Sequence, residues 1–355
     1  MPVRSDSTIV IAGAGLAGAC AALALADSHR VIVLDSGRVG EGASGAAAGL
    51  VNPFMGRKAK PAWHYREALD ALHATLDAAG AADLFLPSGV LRPASDDRQL
   101  EAFKASAQNN GLAWIEADAV AERWPEVQAP HGALWIPEGG SVDLTAMVRA
   151  CVKAAETRGV EVHEHRRLIG WQHRNQQLIA ITDYEPIEAD RLLLTLGDGA
   201  RHLPELATLP LHRVKGQTVE LAPSSTDLPA VSGGVYVVPR PDRVLVGATF
   251  EHHFEDLRPD PVASSRLVGR AQQLVPTLDG AVRAERVGVR LTVPTSASPR
   301  RLPLLAPLPG HDTVWVFSGL GAKGLLTAPR LARFLPHALA NPGALPAEIR
   351  DPIAG

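Results

Sequence analysis

Three glycines and one acid near the N-terminus have the types and spacing for nucleotide chemistry. Gly13-x-Gly15-x-x-Gly18 follows the apolar run Ile9–Ala12 and leads into an alanine-rich stretch that includes Cys20. A strand running through such a turn into a helix has three tasks at a dinucleotide. Gly13 makes the tight turn, Gly15 lets bare backbone approach a pyrophosphate, and Gly18 lets the helix lie against the strand. Leu16 and Ala17 open that helix, whose free N–H groups point at the phosphates. A second apolar strand, Val31–Leu34, delivers Asp35 about 20 residues past the glycines, where a carboxylate accepts bonds from both ribose hydroxyls, with Ser36 beside it. Residues 9–26 are uncharged. Their Ala and Gly content nevertheless inserts poorly into a bilayer, and the strand that follows favours the nucleotide reading over a membrane span or a signal peptide.

Further along, Gly37–Gly49 is a run of small residues that would let backbone approach a ligand, or would simply connect two elements. Arg57, Lys58, Lys60, Trp63 and His64 form a basic stretch that reads either as a lid favouring an acidic substrate or as a solvated turn. His252 and His253 have no partner at metal-ligand spacing and read as surface or lining residues. Cys20 and Cys151 lie on apolar helical faces and read as buried thiols, so no metal site is expected.

The elements that must position these groups can be read from periodicity. A helix is expected from about Ala62 to Ala79, ended by Gly80, and shorter elements at Leu84–Leu91, Gln99–Ala107 and Ala133–Ile136. Asp143 has the type and place of an N-cap for a helix whose stripe is Leu144, Met147, Val148, Cys151, Val152 and Ala155, closed by Gly159. Strands follow at Val160–His163, Leu168–Trp171, Gln177–Thr182 and Arg191–Thr195. Residues 210–293 read as strand-rich, clearest at Gln217–Leu221, Gly234–Val238 and Val244–Gly247. A last strand, Thr313–Phe317, enters the turn Gly319–Gly324, which opens a helix reaching about Leu339. The final dozen residues, rich in Pro and Ala, read as weakly ordered.

A chain of 355 residues, 46% hydrophobic and 21% charged, can bury the core of two domains. Its net charge of −3 argues against non-specific binding to nucleic acid or an anionic membrane. With two cysteines and no other apolar span, the expected location is the cytoplasm.

Four further segments, in order, make the chain resemble the flavin-dependent amino-acid and amine oxidases of the D-amino-acid oxidase superfamily. This family includes glycine oxidase, sarcosine oxidase and the flavin domain of a tRNA wobble-uridine modifying enzyme. The segments are Gly42–Gly45, Pro137–Asp143, Gly234–Arg240 with Val246–Thr249, and Phe317–Pro329. The resemblance implies non-covalent FAD and an α/β fold. It implies a discontinuous Rossmann-type FAD-binding domain (1–81, 141–207 and 301–355) and a second, α+β substrate domain with a largely antiparallel sheet (82–140 and 208–300).

It also implies roles. Ser44 and Gly45 would lie beside the pyrophosphate, Leu168 at the adenine edge and Gly197 where the chain passes the phosphates again. The turn Gly319, Gly321, Ala322, Lys323, Gly324 and Leu325 would face the flavin, with Lys323 stabilising negative charge on the reduced ring. The other reading of Lys323 is a solvated loop lysine. Arg290 would hold a substrate carboxylate by two parallel bonds, although Leu291 stands where the family has proline and Pro303–Ala306 departs from its Pro-x-Ile-Gly. A strand-end surface arginine is the alternative. Tyr236 matches a pocket tyrosine, or is simply packed. The implied reaction is oxidation of an amino acid or N-substituted amino acid by hydride transfer to the flavin, with O2 or another acceptor taking the electrons. The alternatives are removal of a carboxymethyl group from a modified tRNA uridine, suggested by the Gly-Leu-Gly-Ala-Lys-Gly run but opposed by the acidic net charge, and a non-catalytic electron-transfer subunit.

Overall fold

The computed structural model describes residues 7–223, 227–298 and 300–350. Two large sheets organise it. In the first, Glu161–His163, Arg30–Leu34 (β2), Thr8–Ala12 (β1), Arg191–Leu194 and His311–Ser318 lie side by side and parallel, and Leu304–Leu308 closes the edge antiparallel. Its inner strands are unbroken apolar runs because both faces are covered. On one face Ile9, Ile11, Val31 and Val33 meet the helices Leu16–Leu25 (α1), Leu144–Glu156 and Gly324–Ala332. On the other, Val10, Ala12, Ile32 and Leu34 meet the antiparallel strands Leu168–Arg174, Gln177–Thr182 and Ile187–Ala189. Asp143 caps the helix Leu144–Glu156 by accepting the Ala146 N–H at 3.0 Å. That helix brings Cys151 against Cys20 of α1; the sulfur–sulfur hydrogen bond and burial push the Cys20 thiol up.

The second sheet has eight strands. Ala284–Thr292, His212–Leu221, Val244–Gly247, Val235–Pro239 and Ala230–Gly233 are antiparallel neighbours. Val90–Pro93 joins them in parallel and continues to Ala133–Ile136 and Ala113–Ile115. The α/β class with a largely antiparallel second sheet agrees with the expectation. We propose that the two sheets are the cores of the two domains drawn above.

Four local readings need correction. The strand-rich stretch 210–293 contains a helix, Pro261–Leu274, capped by Asp260 and packed on the second sheet through Leu267, Val268 and Ala271. Leu84–Leu91 is not one element. It splits into Phe85–Leu86 and Val90–Pro93 in different sheets, because Gly89 turns at φ +68 against the ring of Trp135. The helix expected from Ala62 begins at Tyr65, behind a left-handed His64. The final helix stops at Ala332, and a short one, Leu335–Ala338, follows. Within the last dozen residues Ala347–Arg350 is helical and Leu345 and Ile349 are buried; residues 351–355 lie outside the described ones.

Candidate active site

The two sheets enclose a cavity of about 1690 Å³ that runs from Asp35 at one end to Arg290 and Tyr236 at the other. This exceeds the roughly 300–1,000 Å³ typical of a site for one drug-sized molecule.

At the first end the glycine turn is built as the sequence requires. Gly13 sits at φ +107, and a Cβ there would fall 2.5 Å from the Thr195 carbonyl. At Gly15 a Cβ would meet only the Ser44 hydroxyl, at 3.5 Å, so the backbone is open to the cavity. Leu16 and Ala17 line the same wall at the N-terminus of α1. Gly18 and Gly45 do not. Each is a packing glycine, a Cβ on Gly18 colliding with the Gly13 carbonyl and one on Gly45 coming 2.8 Å from the Gly40 carbonyl.

The Asp35 carboxylate accepts from the Ala14 N–H at 2.6 Å and the Gly37 N–H at 2.8 Å, one on each oxygen. A carboxylate has about four acceptor positions, so two remain for a ligand. Ser44 accepts from the Leu16 N–H at 3.1 Å, which leaves its hydroxyl proton to donate. Ser36, Leu168 and Gly197 (φ +52) complete this end.

Midway, Gly319 and Gly321 turn at φ +75 and +54, and the Gly321 N–H donates to the Leu291 carbonyl at 2.9 Å. That bond ties the turn to the strand carrying Arg290. Ala322, Lys323, Gly324 and Leu325 all line the cavity where the helix Gly324–Ala332 begins. The Lys323 ammonium is neither free nor fully solvated. It donates to the Arg300 carbonyl at 3.0 Å, and burial, with repulsion from Arg301, holds its pKa below the usual lysine range.

At the far end Arg290 lies opposite Val214 in the strand pairing. Its Nη2 donates to the Thr249 carbonyl at 3.3 Å, its guanidinium stacks 4.2 Å from the Phe250 ring centroid, and its Nη1 is buried with no protein partner. It is therefore no surface arginine. Burial pulls its pKa down, opposed by Tyr236. A Cβ on Gly216 would strike this guanidinium, so the neighbouring strand is bare there. Tyr236 pairs across from Gly247, where a Cβ would come 2.7 Å from the phenol oxygen. Burial raises its pKa to about 12, against the opposing pull of Arg290 and an Ala48 backbone bond. It remains a neutral phenol at physiological pH.

The basic stretch divides. Arg57 lines the cavity and pairs with Asp96 at 3.7 Å, and Lys58 and Lys60 are exposed. Trp63 lies under Arg330, 4.0 Å from ring centroid to guanidinium, and His64 is 3.3 Å from Glu67 and 3.7 Å from Glu348. His252 and His253 border a separate shallow depression. Among the described residues no His, Cys, Asp or Glu group has metal-binding geometry, and no helix is long and apolar enough to cross a membrane.

Three wall residues escaped the sequence reading. Thr195 donates from its hydroxyl to the Ala12 and Gly13 carbonyls and seals the glycine turn. Phe250 covers Arg290. Arg92, buried, donates to the Phe54 and Gly56 carbonyls, fixing the turn that carries Arg57. Burial lowers the Arg92 pKa to about 10, so it stays charged. The available signal was a lone cation directly after the apolar pair Val90–Leu91, which must find partners if the strand is buried.

A family model described as FAD dependent oxidoreductase matches residues 8–336. The chain is 29% identical to the glycine oxidase of Pseudomonas aeruginosa over 361 residues, covering 92% of this chain and 93% of that one. It is 30% identical to the tRNA 5-methylaminomethyl-2-thiouridine biosynthesis bifunctional protein MnmC of a Polaromonas species, covering 94% of this chain and 56% of that protein. Among solved structures, the glycine oxidase of Bacillus cereus superimposes with a TM-score of 0.84 at 18% identity, covering 98% of each chain.

Proposed function

The chain belongs to the FAD-dependent oxidoreductase family, as an enzyme of the amino-acid oxidase type, and we propose that it oxidises an α-amino acid or an N-substituted α-amino acid whose carboxylate pairs with Arg290. The observation that carries this reading is the buried, unpartnered Nη1 of Arg290 in the cavity wall. A guanidinium kept out of water with a donor unused calls for an anion, and a carboxylate matches its fork.

The chain's own groups fit the cofactor. Asp35 would accept the ribose hydroxyls, Gly13, Gly15 and the α1 N-terminus would face the pyrophosphate, and Ser44 would donate to it. Leu168 and Gly197 would border the adenosine half, and Gly319–Leu325 with Lys323 would face the flavin ring. When bound, FAD supplies the acceptor for the two electrons withdrawn from the substrate. Neither Cys20 nor Cys151 lines the cavity. The protein's own task is orientation. Arg290 would fix the carboxylate and Tyr236 would offer a neutral hydroxyl beside it, so the reacting carbon would be presented in one pose.

A second reading, action on a carboxymethylaminomethyl group of a modified uridine, is supported by the likeness to MnmC and by the cavity volume. Both readings place a carboxylate at Arg290. Mixing the holoenzyme anaerobically with amino acids, N-methyl amino acids and the matching amines, while following loss of flavin absorbance, tests the proposal. Bleaching confined to carboxylate-bearing amines supports it; bleaching by simple amines alone overturns it. The electron acceptor, O2 or another carrier, is read from reoxidation in the same experiment.

A further inference from the structure

We propose that Lys215 is a positioning residue that clasps the loop Thr249–Arg258 over Arg290, and so sets the affinity of the site for carboxylates. The inference rests on the anchoring role proposed for Arg290.

Lys215 lies on the strand His212–Leu221, one residue from Gly216, which the Arg290 guanidinium overlies. It is only 5% exposed, and a buried ammonium is stable only with partners. All its partners come from one loop. The Nζ donates to the Arg258 carbonyl at 3.0 Å and lies 3.8 Å from Glu251 Oε2 and 4.0 Å from Asp256 Oδ1. The carboxylates come from opposite arms of the loop, and the ammonium between them offsets their repulsion. The backbone joins in, since Lys215 and Glu251 exchange N–H to carbonyl bonds of 2.9 Å in both directions. Gln217, two residues along on the same face, accepts the Asp260 N–H at 2.8 Å and donates to the Asp260 carbonyl at 3.0 Å.

The inner side of this loop touches the anchor. The Thr249 carbonyl receives Arg290 Nη2, and the Thr249 hydroxyl donates to Glu251 Oε1 at 3.0 Å. Phe250 stacks on the guanidinium. Phe250 and Leu257, one on each arm, are 61% and 47% exposed and both line the cavity. Two exposed apolar side chains at a cavity mouth, held by a buried charge behind them, form a lip that keeps water from the guanidinium. A drier guanidinium binds an anion more strongly.

The test uses the FAD-loaded full chain and three variants: Lys215→Met, Lys215→Arg and Glu251→Gln. Acetate serves as a carboxylate probe that cannot be oxidised, its affinity read from the shift it causes in flavin absorption. Steady-state kinetics compare an amino acid with its matching amine. Lys215→Met is expected to weaken acetate and raise KM for the amino acid about 10- to 100-fold, the scale of a small misplacement. The kcat, the amine kinetics and FAD retention should stay within about threefold. Lys215→Arg should recover most of the loss, and Glu251→Gln should lose about threefold in the same direction.

Equal losses for amine and amino acid, or unchanged acetate affinity in Lys215→Met while Arg290→Ala loses it, overturn the clasp and leave the anchor standing. Unchanged acetate affinity in Arg290→Ala overturns the anchor itself. If Lys215→Met does not fold, Glu251→Gln and Phe250→Ala decide, and acetate affinity unaltered in both rejects the proposal.

Discussion

At the end of the cavity where the nucleotide is proposed to lie, the Asp35 carboxylate already accepts from Ala14 and Gly37, and the Ser44 hydroxyl already accepts from Leu16. At the other end, Arg290 keeps a buried nitrogen with no partner, and Tyr236 is a buried phenol beside it. The first region is a cradle whose polar groups satisfy the backbone that shapes it. Backbone N–H groups hold its carboxylate in place, and a ligand would add bonds to the acceptor positions left over. The second holds a desolvated cation whose best partner must arrive from outside. On the proposed roles, affinity at the first end would come from shape and many shared contacts, and selectivity at the second from one unmet charge. Removing a group should therefore act differently at the two ends, strongly on turnover at one and on cofactor retention at the other.

The largest effect is expected at the unpaired end. Arg290→Ala should leave FAD bound but cut kcat/KM for the carboxylate substrate. Losing one partner of a buried charge pair costs about 2–5 kcal/mol, or about 30-fold to several thousand-fold. Arg290→Lys should recover part, keeping charge without the fork. Comparable losses with the amine lacking a carboxylate would erase the contrast between the ends. Next comes Asp35→Ala, which removes charge-assisted bonds of about 1.5–3 kcal/mol and should weaken FAD about 10- to 150-fold. Asp35→Asn should lose less, because an amide oxygen can still take one backbone N–H. Equilibrium titration of FAD into apoprotein measures both, and wild-type affinity in Asp35→Ala would show that another group holds the ribose.

The same division decides what the sequence made legible. The proposed nucleotide cradle is local, a strand, a glycine turn, a helix and a second strand ending in an acid, so residues 8–35 display their structure in the sequence. The capped helix Leu144–Glu156 was equally plain, because Asp143 and an unbroken stripe occupy adjacent positions. The helix Pro261–Leu274 was masked by strands on both sides and by Ser264 within its stripe, although Asp260-Pro261 marks its start. Around Arg290, legibility stops at the residue itself. That Thr249 and Phe250 meet it, and that Lys215 holds their loop, follows from strand register and from a loop some 40 residues away. Nothing in the local pattern of either segment encodes that meeting. Resemblance named Arg290 as a candidate, but only its burial and unused nitrogen distinguish an anchor from a strand-end arginine.

Between the ends, Lys323 tests whether the contrast has a middle. Its ammonium already donates to the Arg300 carbonyl, yet its charge still lies in the cavity wall where the flavin ring is proposed to sit. Lys323→Met should lower the flavin midpoint potential and slow anaerobic reduction about 3- to 30-fold, the range for a charge at a partly buried helix terminus. A dye-coupled redox titration that returns the wild-type potential would make Lys323 a structural tie to the Arg300 loop, belonging with the self-satisfied end.

The smallest effect, and the finest test of the comparison, is expected at Tyr236. Its pKa near 12 means that the folded protein keeps the phenolic proton where an exposed tyrosine would lose it near 10. Tyr236 can therefore donate a hydrogen bond throughout the physiological range but cannot act as a base there. Tyr236→Phe removes one neutral hydrogen bond, about 0.5–1.5 kcal/mol, so kcat/KM should fall about 2- to 12-fold. The pH profiles of wild type and variant should run parallel from pH 6 to 10, because no ionisation of Tyr236 falls in that interval. Stability follows with a definite sign. Above pH 10 the unfolded chain releases this proton while the folded chain retains it, so folding loses stability as pH rises from 10 towards 12. Tyr236→Phe lacks that loss, and the stability difference between the two proteins should shift in favour of the variant across the interval. Profiles that diverge near neutrality would instead make Tyr236 an ionising participant. The proposed substrate end would then hold two responsive groups rather than one.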